Sequence, residues 1–389
     1  MGSAGEGRPG RGGGPPAAAG RLRIAFLDSW ARSRARGSGS AVAIDGLAGG
    51  LEALGHRVRR VEPRASGGRT LTRLVFNATL PFRFRGEAHD LTVGFDLDGC
   101  FLPSSGPTPR VTALKGILAD EKRFEHGTTR LRFQALSRLE GRAARTADRV
   151  VVTSRYCRRV AVDAYDLDAA SVAVVPEGID PGPWDEVAER RWEARDGSGA
   201  DGRDGGPVVL SVARQYPRKN TGTLLRAFLR VRAEVPGARL RVVGGGPRLP
   251  ALRRLARELG VADGVRLLGE VEDQTRLRAE YGRADVFCLP SLQEGFGIVF
   301  LEAMASGLPV VAGDAAAVPE VVPDGEAGIL VPPRRTGEVA AALVRLLQDP
   351  ALRRGMGEAG RRHARRFAWP EVARRFLHAA PVPEGRARG

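Results

Sequence analysis

The chain has 389 residues, with 61 Lys and Arg against 45 Asp and Glu, a formal charge of +16, and 42% hydrophobic content. That length exceeds what one hydrophobic core usually supports, so two domains are expected. The charge invites an anionic partner, yet aromatics are only 6% and no zinc-finger, basic-zipper or ribonucleoprotein signature is present, so nucleic acid is not expected.

Residues 1–20, rich in Gly, Pro and Ala, lack the apolar centre of a signal peptide and read as a disordered tail. No apolar run approaches the ~18 residues of a membrane span. Cys100, Cys157 and Cys288 stand far apart without metal spacing, which fits a reduced, cytoplasmic protein. The basic residues are nearly all arginine, since lysine occurs only at 115, 122 and 219. LRIAFLDS (22–29) reads as a buried strand, the Gly and Arg loop RGSGS (36–40) follows with Ser40 as an N-cap, and SAVAIDGLAGGLEALG reads as a helix closing at Gly55. HRVRRVEP alternates as a second strand. This order opens a doubly wound sheet, whose ligands sit at the carboxyl ends of its strands. Further strands are expected at 90–95, 110–115, 147–154 and 171–176. RLRFQALSRLEGRAARTADR (130–149) reads as a basic helix, with an anionic membrane surface as a candidate contact.

From Pro181 to Pro207 the chain turns to charged residues, Gly and Ser, and reads as a linker. The alternation then restarts with VVLSVA (208–213), RQYPRKN and the helix TGTLLRAFLRVRAEVPG. It continues through RLRVV, GGGP and LPALRRLARELG, then VRLLG (265–269), and ends with GILVPP and TGEVAAALVRLLQD. Two successive sets of strand and helix predict two Rossmann-like domains facing one cleft. The boundaries are 21–180 for an acceptor-side domain, 181–206 for the hinge, 207–366 for a donor domain and 367–380 for a closing helix.

DVFCLPSLQEGFGIVFLEAMASGLPVV (285–311) carries most of the chemistry. It reads as a buried strand, a glycine-flanked loop, a helix from Ile298 and a second strand. A helix start presents free N–H groups and a positive dipole end, where phosphate can be held. Gly295 and Gly297, around Phe296, let backbone approach a ligand closely. Glu294 and Glu302 bracket that mouth, and a carboxylate accepts two hydroxyl hydrogen bonds. The pair suits a ligand with a diol at each end and phosphates between, which describes a nucleotide sugar.

EGFGIVFLE resembles the E-x7-E motif of retaining glycosyltransferases of family 4, with the GT-B fold. That resemblance covers about residues 21–380 and is more specific in the second half. It implies that Glu294 contacts the donor sugar, that Glu302 contacts the ribose, and that Arg214 and Lys219 in RQYPRKN grip the diphosphate. Gly39, followed by Ser40, stands where relatives have two glycines near the diphosphate, with plain turn chemistry as the other reading. VRLLGEV, including Gly269, is similar to the segment that holds the base. The histidine that relatives carry near the reacting sugar is Lys115 here, with His126 as a substitute, and EGID has Glu177 where asparagine is usual. AAA (315–317) replaces glycines.

VVGGGP fails G-x-G-x-x-G, because Leu249 takes the third glycine position, so a nicotinamide cofactor is not expected. DLD (96–98) resembles the D-x-D metal motif of the other large glycosyltransferase fold. Since Arg214, Lys219 and a helix terminus already supply positive charge, no metal or other cofactor is expected, and Asp96 and Asp98 read as acceptor-side or structural. The resemblance implies transfer of a hexose from a UDP- or GDP-linked donor to an acceptor hydroxyl on a glycan, lipid or small natural product. An epimerase or phosphorylase of the same fold, or a non-catalytic donor-binding partner, are the alternatives.

Overall fold

A computed structural model describes residues 20–30, 39–64, 69–84, 88–104, 106–196 and 206–382. The tail and the 31–38 loop lie outside them. The first half runs β1 (Arg23–Leu27), α1 (Gly39–Ala53), β2 (Arg57–Val61), α2 (Arg69–Arg83), β3 (Leu91–Phe95) and β4 (Arg110–Leu114). It continues α3 (Leu118–Glu121), α4 (Gly127–Arg145), β5 (Arg149–Val152), α5 (Arg155–Tyr165) and β6 (Val172–Val174). The second half comprises α6 (Gly182–Asp196), β7 (Val208–Val212), α7 (Thr221–Glu234), β8 (Arg239–Val243), α8 (Leu249–Glu258), β9 (Val265–Gly269) and α9 (Gln274–Arg283). After it come β10 (Val286–Leu289), α10 (Ile298–Ala305), β11 (Val310–Gly313), α11 (Val318–Val321), β12 (Gly328–Val331), α12 (Thr336–Gln348), α13 (Pro350–Ala364) and α14 (Trp369–Ala379).

The strands form two six-stranded sheets, ordered β2-β1-β3-β4-β5-β6 and β12-β11-β10-β7-β8-β9. Every named pairing is parallel. Parallel strands need crossovers, and the crossover helices cover both faces, which explains why β3, β4, β7, β10 and β11 are buried along their whole length. In the first sheet the winding reverses at β1, between β2 and β3. In the second it reverses at β7, between β8 and β10. Each reversal opens a crevice at the carboxyl ends of the strands.

Two readings of the sequence are corrected. The stretch 181–206 is not simply a linker, because α6 fills 182–196. Trp184 and Ala188 are buried on the second half, and Arg191, buried as well, donates to the Ala284 and Gly307 carbonyls at 2.9 and 2.7 Å. Those two apolar residues and one arginine anchor an otherwise charged helix. Ser40 lies inside the first turn of α1, which begins at Gly39, rather than preceding it as an N-cap.

The closing helix crosses back as expected. Trp369, Val372, Ala373 and Phe376 are buried with α1 and the first sheet. The contact is so close that a Cβ at Gly46 would stand 1.9 Å from the Trp369 ring, and one at Gly50 2.6 Å from the Trp369 carbonyl. Beside this contact the two chain crossings pair with each other. Ile179 N–H donates to Phe367 O at 2.9 Å and Trp369 N–H to Ile179 O at 3.2 Å. Trp369→Ala empties the slot and is expected to lower stability by about 3–5 kcal/mol, measured as a lower urea midpoint of the transition reported by the first half.

Candidate active site

The cleft between the halves encloses about 620 Å³ and is lined from both sheets, a size that takes a medium-sized organic ligand. On the second half its wall is built at the β7/β10 reversal. After β7 the chain makes a tight turn over Pro217–Lys219. Asn220 then adopts a left-handed conformation with φ of 56°, and its amide donates to the Pro290 and Pro333 carbonyls at 3.0 and 2.6 Å. That tie fixes the post-β7 loop against the ends of β10 and β12.

Lys219 is thereby aimed at Glu294. Its ammonium lies 2.6 and 2.7 Å from the two carboxylate oxygens, and Ser291 Oγ donates to the same carboxylate at 2.7 Å. Both side chains are largely buried, at 13% and 7% exposure, so this is a desolvated ion pair rather than two surface charges. Gly297 ends the loop and caps α10 with φ of 94°, a region that favours glycine, and a Cβ there would stand 2.6 Å from the Phe300 ring. Gly295, Phe296 and Gly297 all line the cleft. So do Gly39 and Ser40, from the start of α1 opposite.

Glu302 also lines the cleft and accepts from Tyr281 Oη at 2.7 Å. Burial pushes its carboxyl above the ordinary range, and the Tyr281 hydrogen bond offsets part of that. Tyr281 is itself fully buried, held edge-on by Trp184 and stacked on Phe287. Arg214 sits at the rim, 3.2 Å from Glu270 and about a third exposed. Gly269 is not in the wall, and Glu270 and Val271 are. Its carbonyl instead accepts from Gly244 N–H at 2.6 Å, joining the two turns behind the wall.

On the first half, Lys115 directly follows β4 and points at Glu177, whose carboxylate lies 3.0 Å away. Their side chains are 9% and 5% exposed and both line the cleft. The two departures from the family pattern are therefore partners of each other. Lys115 N–H donates to Asp96 Oδ1 at 2.9 Å, and Asp96 Oδ2 accepts from Trp30 Nε1 at 2.8 Å. Asp96 lines the cleft, whereas Asp98 turns inward to Ser29 N–H and Asn77, both at 2.8 to 2.9 Å. Burial pushes the Asp98 carboxyl up to about 6. DLD thus does not present two carboxylates to one site. His126 is exposed at the start of α4 and is not part of the cleft wall, so it does not replace the family histidine there. Ala317 N–H donates to Glu294 O at 3.3 Å, supporting the loop from below.

Sequence reasoning missed Tyr281, Ser291 and the pairing of Arg218 with Glu121 across the cleft at 3.1 Å. Only the Lys115 and Glu177 pair left a signal, as complementary charges at two departures.

Two family models match this chain, one described as glycosyl transferases group 1 over residues 193–363 and one as Glycosyltransferase Family 4 over 99–182. The chain is 36% identical over 294 residues to the GDP-mannose-dependent alpha-(1-6)-phosphatidylinositol monomannoside mannosyltransferase of Mycolicibacterium smegmatis, covering 72% of this chain and 74% of that protein. The chain belongs to the family 4 glycosyltransferases. A second relative of this glycosyltransferase is the D-inositol 3-phosphate glycosyltransferase of Actinosynnema mirum, 37% identical over 60% of this chain and 57% of that protein. Among solved structures, sucrose-phosphate synthase from Thermosynechococcus elongatus superposes with a TM-score of 0.76 at 23% identity, over 92% of this chain and 98% of that one. Anabaena HepE in complex with UDP and glucose gives 0.69 at 20% identity, over 92% and 99%. Those two establish the GT-B fold.

Removing one member of a buried ion pair leaves an uncompensated charge. Lys115→Met is therefore expected to cost about 3–5 kcal/mol, while the double variant Lys115→Met/Glu177→Gln recovers most of that loss, read by urea unfolding of the two proteins side by side.

Proposed function

We propose that this glycosyltransferase moves a hexose from a nucleoside diphosphate sugar to an acceptor hydroxyl, with retention at the anomeric carbon and without a metal ion. The observation that carries the reading is the convergence of Lys219 and Glu294 at the mouth of α10, within 2.6 Å, beside the Gly295–Gly297 backbone. A nucleotide sugar fits that polarity. Its diphosphate meets Lys219, Arg214 and the helix N-terminus, its hexose meets Glu294, and its ribose meets Glu302.

In this reading the C1–O bond to the phosphate breaks with the electron pair going to the nucleoside diphosphate. Lys219, Arg214 and the loop amides stabilise that charge as it develops. The acceptor oxygen attacks C1 from the face the diphosphate leaves, and its proton passes to the departing phosphate oxygen. Lys219 is released from Glu294 when the diphosphate arrives, which frees the carboxylate for sugar hydroxyls. Closure of the halves excludes water from this step.

GDP-mannose is the first donor to try, because the relative from Mycolicibacterium smegmatis is GDP-mannose-dependent by name. That same name supports a lipid-borne polyol as the acceptor class. Contact with an anionic membrane belongs to this reading. Leu131 on α4 is 71% exposed beside exposed Arg130 and Arg138, and α2 exposes Leu71 and Phe82. No helix among the described residues is long and apolar enough to cross a membrane.

The test is release of nucleoside diphosphate from a panel of nucleotide sugars, with and without lipid and polyol acceptors. Acceptor-dependent release from GDP-mannose or another sugar nucleotide is expected. Conversion of the donor without acceptor indicates an epimerase, and a requirement for free phosphate indicates a phosphorylase. Glu294→Gln and Lys219→Gln should each lower kcat at least ~100-fold, read well below the melting transition because breaking this buried pair also lowers stability, and near-normal rates in both overturn the site. Chelator treatment should leave the rate unchanged. Loss that manganese restores would refute the metal-free reading.

A further inference from the structure

The donor loop is gripped from the opposite half of the molecule. Thr153 and Ser154, just past β5, donate to the Gly295 carbonyl at 2.9 and 2.8 Å. The Cys157 thiol stands 3.3 Å from the same oxygen, and burial pushes that thiol up to about 11, so it stays protonated. A second tie lies close by. The Glu320 carboxylate, on α11 of the second half, accepts the backbone N–H groups of Arg155 and Tyr156 at 2.8 and 2.7 Å. These N–H groups have no partner within the helix because they lie in the first turn of α5, where the helix dipole also favours an anion. Gly295 itself lies against the first half, since a Cβ there would stand in contact, at 3.4 Å, with both the Lys115 carbonyl and the Cys157 sulfur.

We propose that Thr153 and Ser154 are positioning residues for the donor site, acting through the Gly295 carbonyl to set the Gly295–Phe296 peptide only when the halves are closed. In a trans peptide the carbonyl and the N–H lie on opposite sides. Holding the carbonyl against the first half therefore turns the Phe296 N–H to the donor-domain side of the loop. With glycine at 295, the torsion on one side of this peptide is little restrained by the backbone itself. The hydroxyls supply the missing constraint, and Glu320 seated on α5 holds the closure that brings them into reach.

The consequence is a coupling between the acceptor-side half and activation of the donor. The loop amides meet the leaving diphosphate in a fixed orientation only after closure, which limits loss of the sugar to water while the cleft is open. This inference rests on the nucleotide-sugar reading above.

Thr153→Val keeps the shape and removes one donor, and Thr153→Ser keeps it. Ser154 also caps α5 by accepting from Cys157 N–H at 3.0 Å, so it is changed only in combination. Thr153→Val is expected to lower kcat ~10-fold, and Thr153→Val/Ser154→Ala ~100-fold, with donor KM and nucleoside diphosphate affinity within ~twofold of the parent. Thr153→Ser should stay within ~threefold of the parent. Independently of any donor, amide exchange over 294–297 in the free protein should be ~10-fold faster in Thr153→Val and in Glu320→Gln, which touches no cleft residue. Parental kcat and parental exchange in Thr153→Val overturn the proposal, as does a loss that Thr153→Ser shares in full. If the parent transfers no sugar, the nucleotide-sugar reading fails, and the exchange comparison still decides whether these hydroxyls hold the loop.

Discussion

The Lys219 and Glu294 ion pair is the contact on which the cleft is organised. Neither residue reaches the other without help. Lys219 depends on the left-handed turn at Asn220 and on that amide's grip on the ends of β10 and β12. Glu294 depends on Ser291 and on the glycine that opens α10. A desolvated pair of this kind contributes little net stability, because the attraction is offset by the loss of hydration. In the proposed reading its value is a charge pair already dehydrated before a ligand arrives, from which a diphosphate would take over the cation with little change in the surroundings.

The same logic explains the layout of both sheets. A parallel sheet wound in two directions leaves one place where neighbouring loops diverge, and this chain has two such places, β1/β3 and β7/β10. Trp30 and Asp96 come from the first, and Lys219 and Glu294 from the second. The wall also takes Lys115 from the end of β4, Glu177 from beyond β6 and Glu270 from beyond β9, so the site is made of residues distant in sequence because the ends of many strands meet there. A cleft between two such ends gives one partner to each domain.

Much of this was legible in the sequence because buried parallel strands leave an unmistakable trace. VVLSV, broken only by Ser211, and VFCL and VVAG are almost wholly apolar runs, and the strands fall within a few residues of where those runs predict. Glu294, Glu302, Lys219 and Arg214 were legible from local spacing beside such strands. What escaped was whatever depends on a partner far along the chain. The helix α6 has a polar composition, and only contact with Ala284 and Gly307, about a hundred residues on, shows why it is helical. Tyr281 reads as an ordinary residue of α9 until Glu302 is seen beside it. Lys115 and Glu177 were each legible as anomalies, but their meeting belongs to the geometry of β4 and the end of β6.

The paired crossings at Ile179 and Ala368 have a mechanical implication. Two covalent strands run between the lobes side by side, and their backbones are bonded to each other rather than left as separate tethers. A single tether would let one lobe twist, slide and tilt; a double one, pinned by Trp369 against α1, behaves like a door jamb and leaves mainly a swing about one axis. A swing guided in this way would bring the same faces together in the same register.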